Sequence, residues 1–179
     1  MPDLPKTLFV AKRFRVEEVA QQLANGSVHR REIVRHAGSV AIIPLVEDEQ
    51  VCLIRNFRVS VQKTLIELPA GTLEPPEEPA LTAARELIEE TGYRAARLRH
   101  LHSFYLAPGI LDEQMHLYLA TDLESVGTAR EPGEEIENLI VPWRQAIQFV
   151  FDGTIQDAKT IVGLLYFNQL KSKEVSPCV

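Results

Sequence analysis

At 179 residues, with 45% hydrophobic and 7% aromatic content, the chain has the length of one domain plus a short appended segment and needs neither disulfides nor structural metal to form a core. A net charge of −6 excludes a generally basic, nucleic-acid-binding surface but allows a small anionic substrate held by locally concentrated arginines. Cys52 in an apolar run and Cys178 near the C-terminus form no disulfide framework or zinc pair; with no secretory signal in Met1 to Val10 and no run long enough to span a bilayer, a cytoplasmic protein without membrane or nucleic-acid partners is expected.

In chain order, Phe9 to Val16 reads as a strand and Val28 to Arg35 as another, with Asn25-Gly26 as a turn signal between them. Glu17 to Ala24 alternatively forms a short helix. Ser39 to Val46 is a buried strand, Glu47 to Gln50 a turn, and Val51 to Phe57 the hairpin partner. A first helix is expected over Pro79 to Thr91, with Pro79 at the first helical position and Gly92 just past the end. Leu98 to Leu106, Gln114 to Ala120 and Glu135 to Val141 follow as strands. A second helix starts near Pro142 and stops before Asp152-Gly153. A third covers roughly Asp157 to Leu170, with Ile161, Leu164, Leu165 and Leu170 at helical spacing. Strands and helices that do not alternate regularly predict a mixed sheet between helical layers.

The chemistry lies in Gly71 to Tyr93. Glu86 and Glu90 are four residues apart on one face of the first helix, and Glu89, three from Glu86, flanks them. Like charges so placed repel, with partial compensation from Arg85 and Arg94. A divalent cation removes the penalty, and clustered carboxylate oxygens are what a hard ion such as Mg2+ prefers. Leu81, Ala84, Leu87 and Ile88 give an adjoining apolar face to anchor the helix on a sheet. Ahead of it, Glu67 to Gly71 ends a strand and enters a stiff loop, Thr72 to Glu78, with three acids and two prolines. Hydrolysis of a diphosphate needs cations to neutralise phosphates and a carboxylate to direct water.

Gly71, Glu77, Arg85, Glu86, Leu87, Glu89, Glu90, Gly92 and Tyr93 fall at the spacing of the Nudix box, and the chain is identified as resembling that family over roughly residues 28–170. Seven of these positions are fixed residue types, so a chance match at a given start is on the order of 10⁻⁸. The resemblance implies an α/β/α sandwich with a mixed sheet, in which the box forms loop, helix and loop. It implies Glu86 and Glu90 as ligands of Mg2+ (or Mn2+), completed by the carbonyl of Ala70. Glu89 lies near the metals, Glu77 supports them, and Arg85 holds the acids through a salt bridge.

Two further segments resemble the ADP-ribose pyrophosphatase branch. Pro108, Gly109 and Glu113 match its Pro-Gly-x-x-x-Glu loop, which puts Glu113 on the substrate side. Arg55-Asn56-Phe57-Arg58 ahead of Glu67-Leu68-Pro69-Ala70-Gly71 is similar to its arginine and Glu-x-Pro-Ala-Gly segments. The branch pairs the second arginine, here Arg58, with the diphosphate, a role that charge-assisted bonding suits. The acidic loop before the last strand departs from the pattern at Pro132. Glu134 is the candidate base there, with Glu135 and Glu131 as fallbacks and Glu89 as the competitor on the helix.

The branch also implies that residues 1–37 form a strand extension used in a homodimer, with Arg30 and Arg31 within reach of substrate. Residues 38–172 then form the hydrolase domain and 173–179 a tail. The activity implied is Mg2+-dependent hydrolysis of ADP-ribose or a related nucleoside-diphosphate sugar to a nucleoside monophosphate and a sugar phosphate. The alternatives are a GDP-mannose-type pyrophosphatase and, from another class, an inactive ligand sensor, against which the intact box acids argue.

Overall fold

The computed structural model describes residues 4–47, 49–128 and 135–175. The chain opens with three antiparallel strands, β1 (Lys6–Val10), β2 (Phe14–Gln22) and β3 (Val28–His36), forming a sheet of their own. The expected strand over Phe9 to Val16 is therefore two strands, with Lys12 and Arg13 in the turn closed by the Ala11 amide on the Phe14 carbonyl at 2.9 Å. Nor is Glu17 to Ala24 a helix. Most of it belongs to β2, paired residue by residue with β3 from Phe14↔His36 to Gln22↔Val28, and this cross-strand pairing overrides a helix-compatible local composition.

The second sheet contains β4 (Ser39–Val46), β5 (Gln50–Arg58), β6 (Lys63–Glu67), β7 (Ala70–Thr72), β8 (Tyr93–Tyr105), β9 (Gln114–Ser125) and β10 (Ile136–Pro142). Its main order is β10-β5-β4-β9-β8, with β4 and β9 parallel and the other pairs antiparallel, so the sheet is mixed. Three helices complete it: α1 (Pro79–Thr91), α2 (Trp143–Phe151) and α3 (Ala158–Val175).

Alternation along the strands divides the core into two layers. Val40, Ile42, Tyr118 and Ala120 pack with Ala83 and Leu87 of α1. Ala41, Ile43, Leu117 and Leu119 face the other way, onto Trp143 and Ala146 of α2 and Leu164 and Phe167 of α3. Both faces of β4 are covered, which is why its sequence is an unbroken apolar run. The fold is an α/β/α sandwich.

The buried side of α1 differs from the expected apolar stripe. Leu81 and Ala84 are exposed and Ile88 is partly buried, whereas Ala83, Leu87 and Glu90 are buried with Thr82 and Thr91. At 100° per residue, Ala83, Leu87 and Glu90 share one face and Leu81 lies nearly opposite. The helix thus anchors on the sheet by a face that includes one of its box acids.

Register explains where the sheet opens. β4 and β5 bond to each other only through Leu45↔Val51 and Val46↔Gln50. Beyond that point β6 takes the edge of β5, from Ile54↔Glu67 to Arg58↔Lys63, and β7 takes the edge of β4, from Ser39↔Thr72 to Ala41↔Ala70. The other edges of β4 and β5 are occupied by β9 and β10, so β6 and β7 both lie in the fork between the diverging strands. Glu67 to Gly71 passes through that fork.

Candidate active site

A cleft of about 830 Å³ opens over the fork. One wall is α1, contributing Arg85, Glu86, Glu89 and Glu90; the floor is Ala70 to Leu73. The facing wall carries Asn56 and Arg58 from the end of β5 and Asp157 to Lys159 at the start of α3. Lys12 and Arg13 from the β1–β2 turn, with Ser39, Glu113 and Met115, complete the lining.

The α1 wall is built on two backbone features. Gly71 has no β-carbon, and one placed there would sit 1.9 Å from the carboxyl carbon of Glu86, so glycine lets that carboxylate lie directly on the chain. Gly92 ends the helix in the left-handed region at φ 76°, with its amide on the Ile88 carbonyl at 2.9 Å. Glu90, buried, accepts the Ala70 amide at 2.8 Å and ties helix to floor.

Arg85 organises the remaining acids. Its Nη1 bonds Glu86 Oε1 at 2.9 Å and Glu89 Oε2 at 2.8 Å, and its Nη2 reaches Glu77 Oε2 at 3.2 Å. Burial works against the charged guanidinium, but Glu77, Glu86 and Glu89 outweigh it and hold the Arg85 pKa above its ordinary value. The Arg85 bond in turn holds the Glu77 carboxyl below the usual carboxylate range; burial opposes this shift and the Thr82 hydroxyl, at 2.8 Å, assists it.

Among the described residues, no three acidic or imidazole side chains already converge on one point as a finished metal cage. Instead Glu77, Glu86 and Glu89 surround the Arg85 guanidinium, while Glu90 of the same helix as Arg85 lies on the Ala70 amide. Negative charge is in excess, and every side-chain donor is a hard oxygen. That chemistry fits a divalent ion of the Mg2+ type.

The facing wall is different. Arg58 grips Glu67 through two bonds of 2.7 Å, and Lys159 bonds the same carboxylate. Burial alone would raise the Glu67 pKa, but the two cations bring it below the ordinary value. Arg58, for its part, is pushed above its usual pKa, chiefly by its bonds to Glu67.

Of the residues singled out from sequence, Glu86, Glu89, Glu90, Ala70, Arg58, Arg85 and Glu113 line the cleft, and Glu77 touches Arg85 from behind. Glu113 accepts from the Ser39 hydroxyl and lies 3.7 Å from His36 Nδ1. Arg30 is elsewhere: it faces Glu18 across the N-terminal sheet at 3.0 Å and does not line the cleft. It lies four residues from Val34, where β3 meets the main body at Leu111, a distance of about 13 Å along an extended strand. Within one chain, the β1–β2 turn reaches the cleft through Lys12 and Arg13. Glu134 and Glu131 lie outside the described residues. Glu135 lines a separate hollow with Arg55 and Phe57.

Lys12, Arg13, Asp157 and Lys159 also line the cleft, and no sequence motif marks them. Asp157 with Thr160 is a legible helix-start pair, but nothing in the sequence places that turn beside Glu67.

Residues 35–162 match the model of the NUDIX domain, and the chain belongs to that family: it is a Nudix hydrolase. An ADP-ribose pyrophosphatase of Bacillus subtilis (strain 168) is 40% identical over 158 residues, covering 87% of this chain and 84% of the relative. A methanol dehydrogenase activator of Bacillus methanolicus is 36% identical over 156 residues, covering 86% and 83%. A crystal structure of an ADP compounds hydrolase superposes with a TM-score of 0.80 over 98% of both chains at 24% identity, a likeness of fold.

Proposed function

We propose that this chain hydrolyses the diphosphate linkage of ADP-ribose or a closely related nucleoside-diphosphate sugar, releasing a nucleoside monophosphate and a sugar phosphate. The observation that carries the reading is the pairing of walls: carboxylates in excess on α1, and Arg58 opposite them across one cleft. The B. subtilis relative's name supports the choice of substrate. Glu86, Glu90 and the Ala70 carbonyl are the residues that would hold Mg2+, with Mn2+ as a substitute. The ion supplies neutralisation of phosphate charge and a more acidic water. Arg58 binds the diphosphate, Glu113 faces the substrate, and Arg85 and Glu77 hold the box acids in place.

Water adds to one phosphorus as the bridging P–O bond breaks, and a carboxylate takes its proton. Glu134 is the proposed base, with Glu89 as competitor. Measured side by side, Glu134→Gln is expected to lower kcat by at least about a hundredfold with little change in KM, since the loss falls on the transition state. A near-normal Glu134→Gln enzyme beside a crippled Glu89→Gln enzyme moves the role to α1.

The N-terminal sheet, with Leu8, Phe9, Val10 and Phe14 exposed, is proposed as the surface of a homodimer, and light scattering tests it. No helix among the described residues is long and apolar enough to cross a membrane. A second reading is a regulator that binds the same ligand without turnover; the name of the B. methanolicus relative, a methanol dehydrogenase activator, speaks for a regulatory role but not for lost catalysis. One panel separates them. Purified protein is given ADP-ribose, GDP-mannose and other nucleoside-diphosphate sugars with Mg2+ or Mn2+, and released phosphomonoester is measured. Turnover of ADP-ribose above the others supports the proposal, fastest turnover of GDP-mannose supports the GDP-mannose type, and binding with no product supports the regulator.

A further inference from the structure

Two cations meet one carboxylate on the wall opposite α1, and they are not equivalent. Glu67, only 1% exposed, accepts Arg58 Nε on Oε1 and Arg58 Nη2 on Oε2, both at 2.7 Å, and Oε2 also receives Lys159 Nζ. Lys159 is 11% exposed and is held a second time by Asp157 Oδ1 at 3.0 Å. Its backbone is fixed as well. Asp157 caps the Thr160 amide at 2.9 Å, and the Thr160 hydroxyl accepts the Leu68 amide at 2.8 Å, so the first turn of α3 is bound to the segment that carries Glu67. Arg58 is 38% exposed and sits at the open end of β5, lining the cleft.

We propose that Lys159 is a positioning residue that makes Arg58 available to substrate. It keeps the Glu67 charge paired while the guanidinium turns from Glu67 to the diphosphate. This rests on the reading of Arg58 as the diphosphate ligand and adds a residue that acts through it. For Arg58 the exchange is nearly even, one bidentate anionic partner for another. For Glu67 it is not, because a buried carboxylate left without a cation is heavily penalised. Lys159, fixed at two acids, removes that penalty. Without it Arg58 is the cation that Glu67 retains, and the guanidinium stays locked.

The test is a double-mutant cycle in Mg2+-loaded protein, reading the Kd of the non-hydrolysable α,β-methylene analogue of ADP-ribose by calorimetry. Lys159→Met is expected to raise Kd about tenfold in the wild-type background but less than about twofold in Arg58→Ala, and Lys159→Arg to recover most of the loss. Equal losses in both backgrounds overturn the proposal, since a merely structural lysine costs the same with or without Arg58. A second readout needs no ligand: solvent exchange of the Arg58 Nε proton by NMR. It is expected to slow at least about fivefold in Lys159→Met, because opening would strand Glu67. An unchanged rate overturns the proposal even if the wild-type protein binds no analogue, an outcome that by itself counts only against the substrate assignment.

Discussion

The two walls of the cleft are both charge clusters, and they close their balance in opposite ways. On the α1 side, Glu77, Glu86 and Glu89 share the Arg85 guanidinium, and buried Glu90 adds a further negative charge. Opposite, Glu67 and Asp157 meet Arg58 and Lys159, two acids against two bases. A wall with excess charge requires something from outside, whereas a balanced wall can exchange partners. The first is suited to recruiting a cation and the second to handing a guanidinium to a phosphate.

The largest effect should come from lowering the excess. Glu86→Gln and Glu90→Gln are each expected to reduce kcat/KM for ADP-ribose by about three orders of magnitude, since each removes an anionic oxygen from a hard-ion site. Metal-free stability should shift by less than about 1 kcal/mol for Glu86→Gln, because the lost Arg85 pair and the relieved repulsion from Glu90 offset each other. Near-normal activity of either variant at saturating Mg2+ would erase the distinction between the walls.

Gly71→Ala sharpens the comparison without altering charge. Its new β-carbon would meet the Glu86 carboxyl at 1.9 Å and has to displace it. A fall of about a hundredfold in kcat is expected, with half-saturation moved to higher Mg2+, because misplacing a ligand by an ångström is costly. Activity equal to wild type would mean that Glu86 need not rest on the floor of the cleft.

The balanced wall should show itself in stability. Glu67→Gln leaves Arg58 and Lys159 facing a neutral amide and is expected to cost about 3 kcal/mol at neutral pH. The Glu67 pKa is depressed in the folded protein, so its pairing contributes fully above the ordinary value of 4.5 and is lost as pH falls through the lower folded value. Urea denaturation at a series of pH values should therefore show the wild type and Glu67→Gln converging as pH drops below about 4.5. Parallel curves would mean that Glu67 is not the acid whose charge the wall depends on.

The same contrast governs what could be read from sequence. The α1 wall is local: Gly71 to Gly92 is contiguous, and helical period alone brings Glu86, Glu89 and Glu90 together. The facing wall unites residues about a hundred positions apart, Arg58 and Glu67 with Asp157 and Lys159, and only the fork between β4 and β5 assembles them. The apolar run of β4 and the boundaries of α1 were legible for the same local reason. The orientation of α1 was not, because Glu90 is held inward by the Ala70 amide rather than by hydrophobicity. The N-terminal segment misled because Glu17 to Ala24 suits either a helix or a strand, and the partner strand decides.

Whether a cation recruited by α1 drives the reaction is tested most directly by ADP-ribose hydrolysis titrated with Mg2+ in wild-type protein and Glu86→Gln after chelation of all metal. Turnover is expected to be absent without metal and to recover saturably in the wild type, with a response in Glu86→Gln that is both weaker and shifted to higher Mg2+. Metal-stripped wild-type protein that hydrolyses ADP-ribose at the full rate, or a Glu86→Gln titration superimposable on wild type, would contradict it.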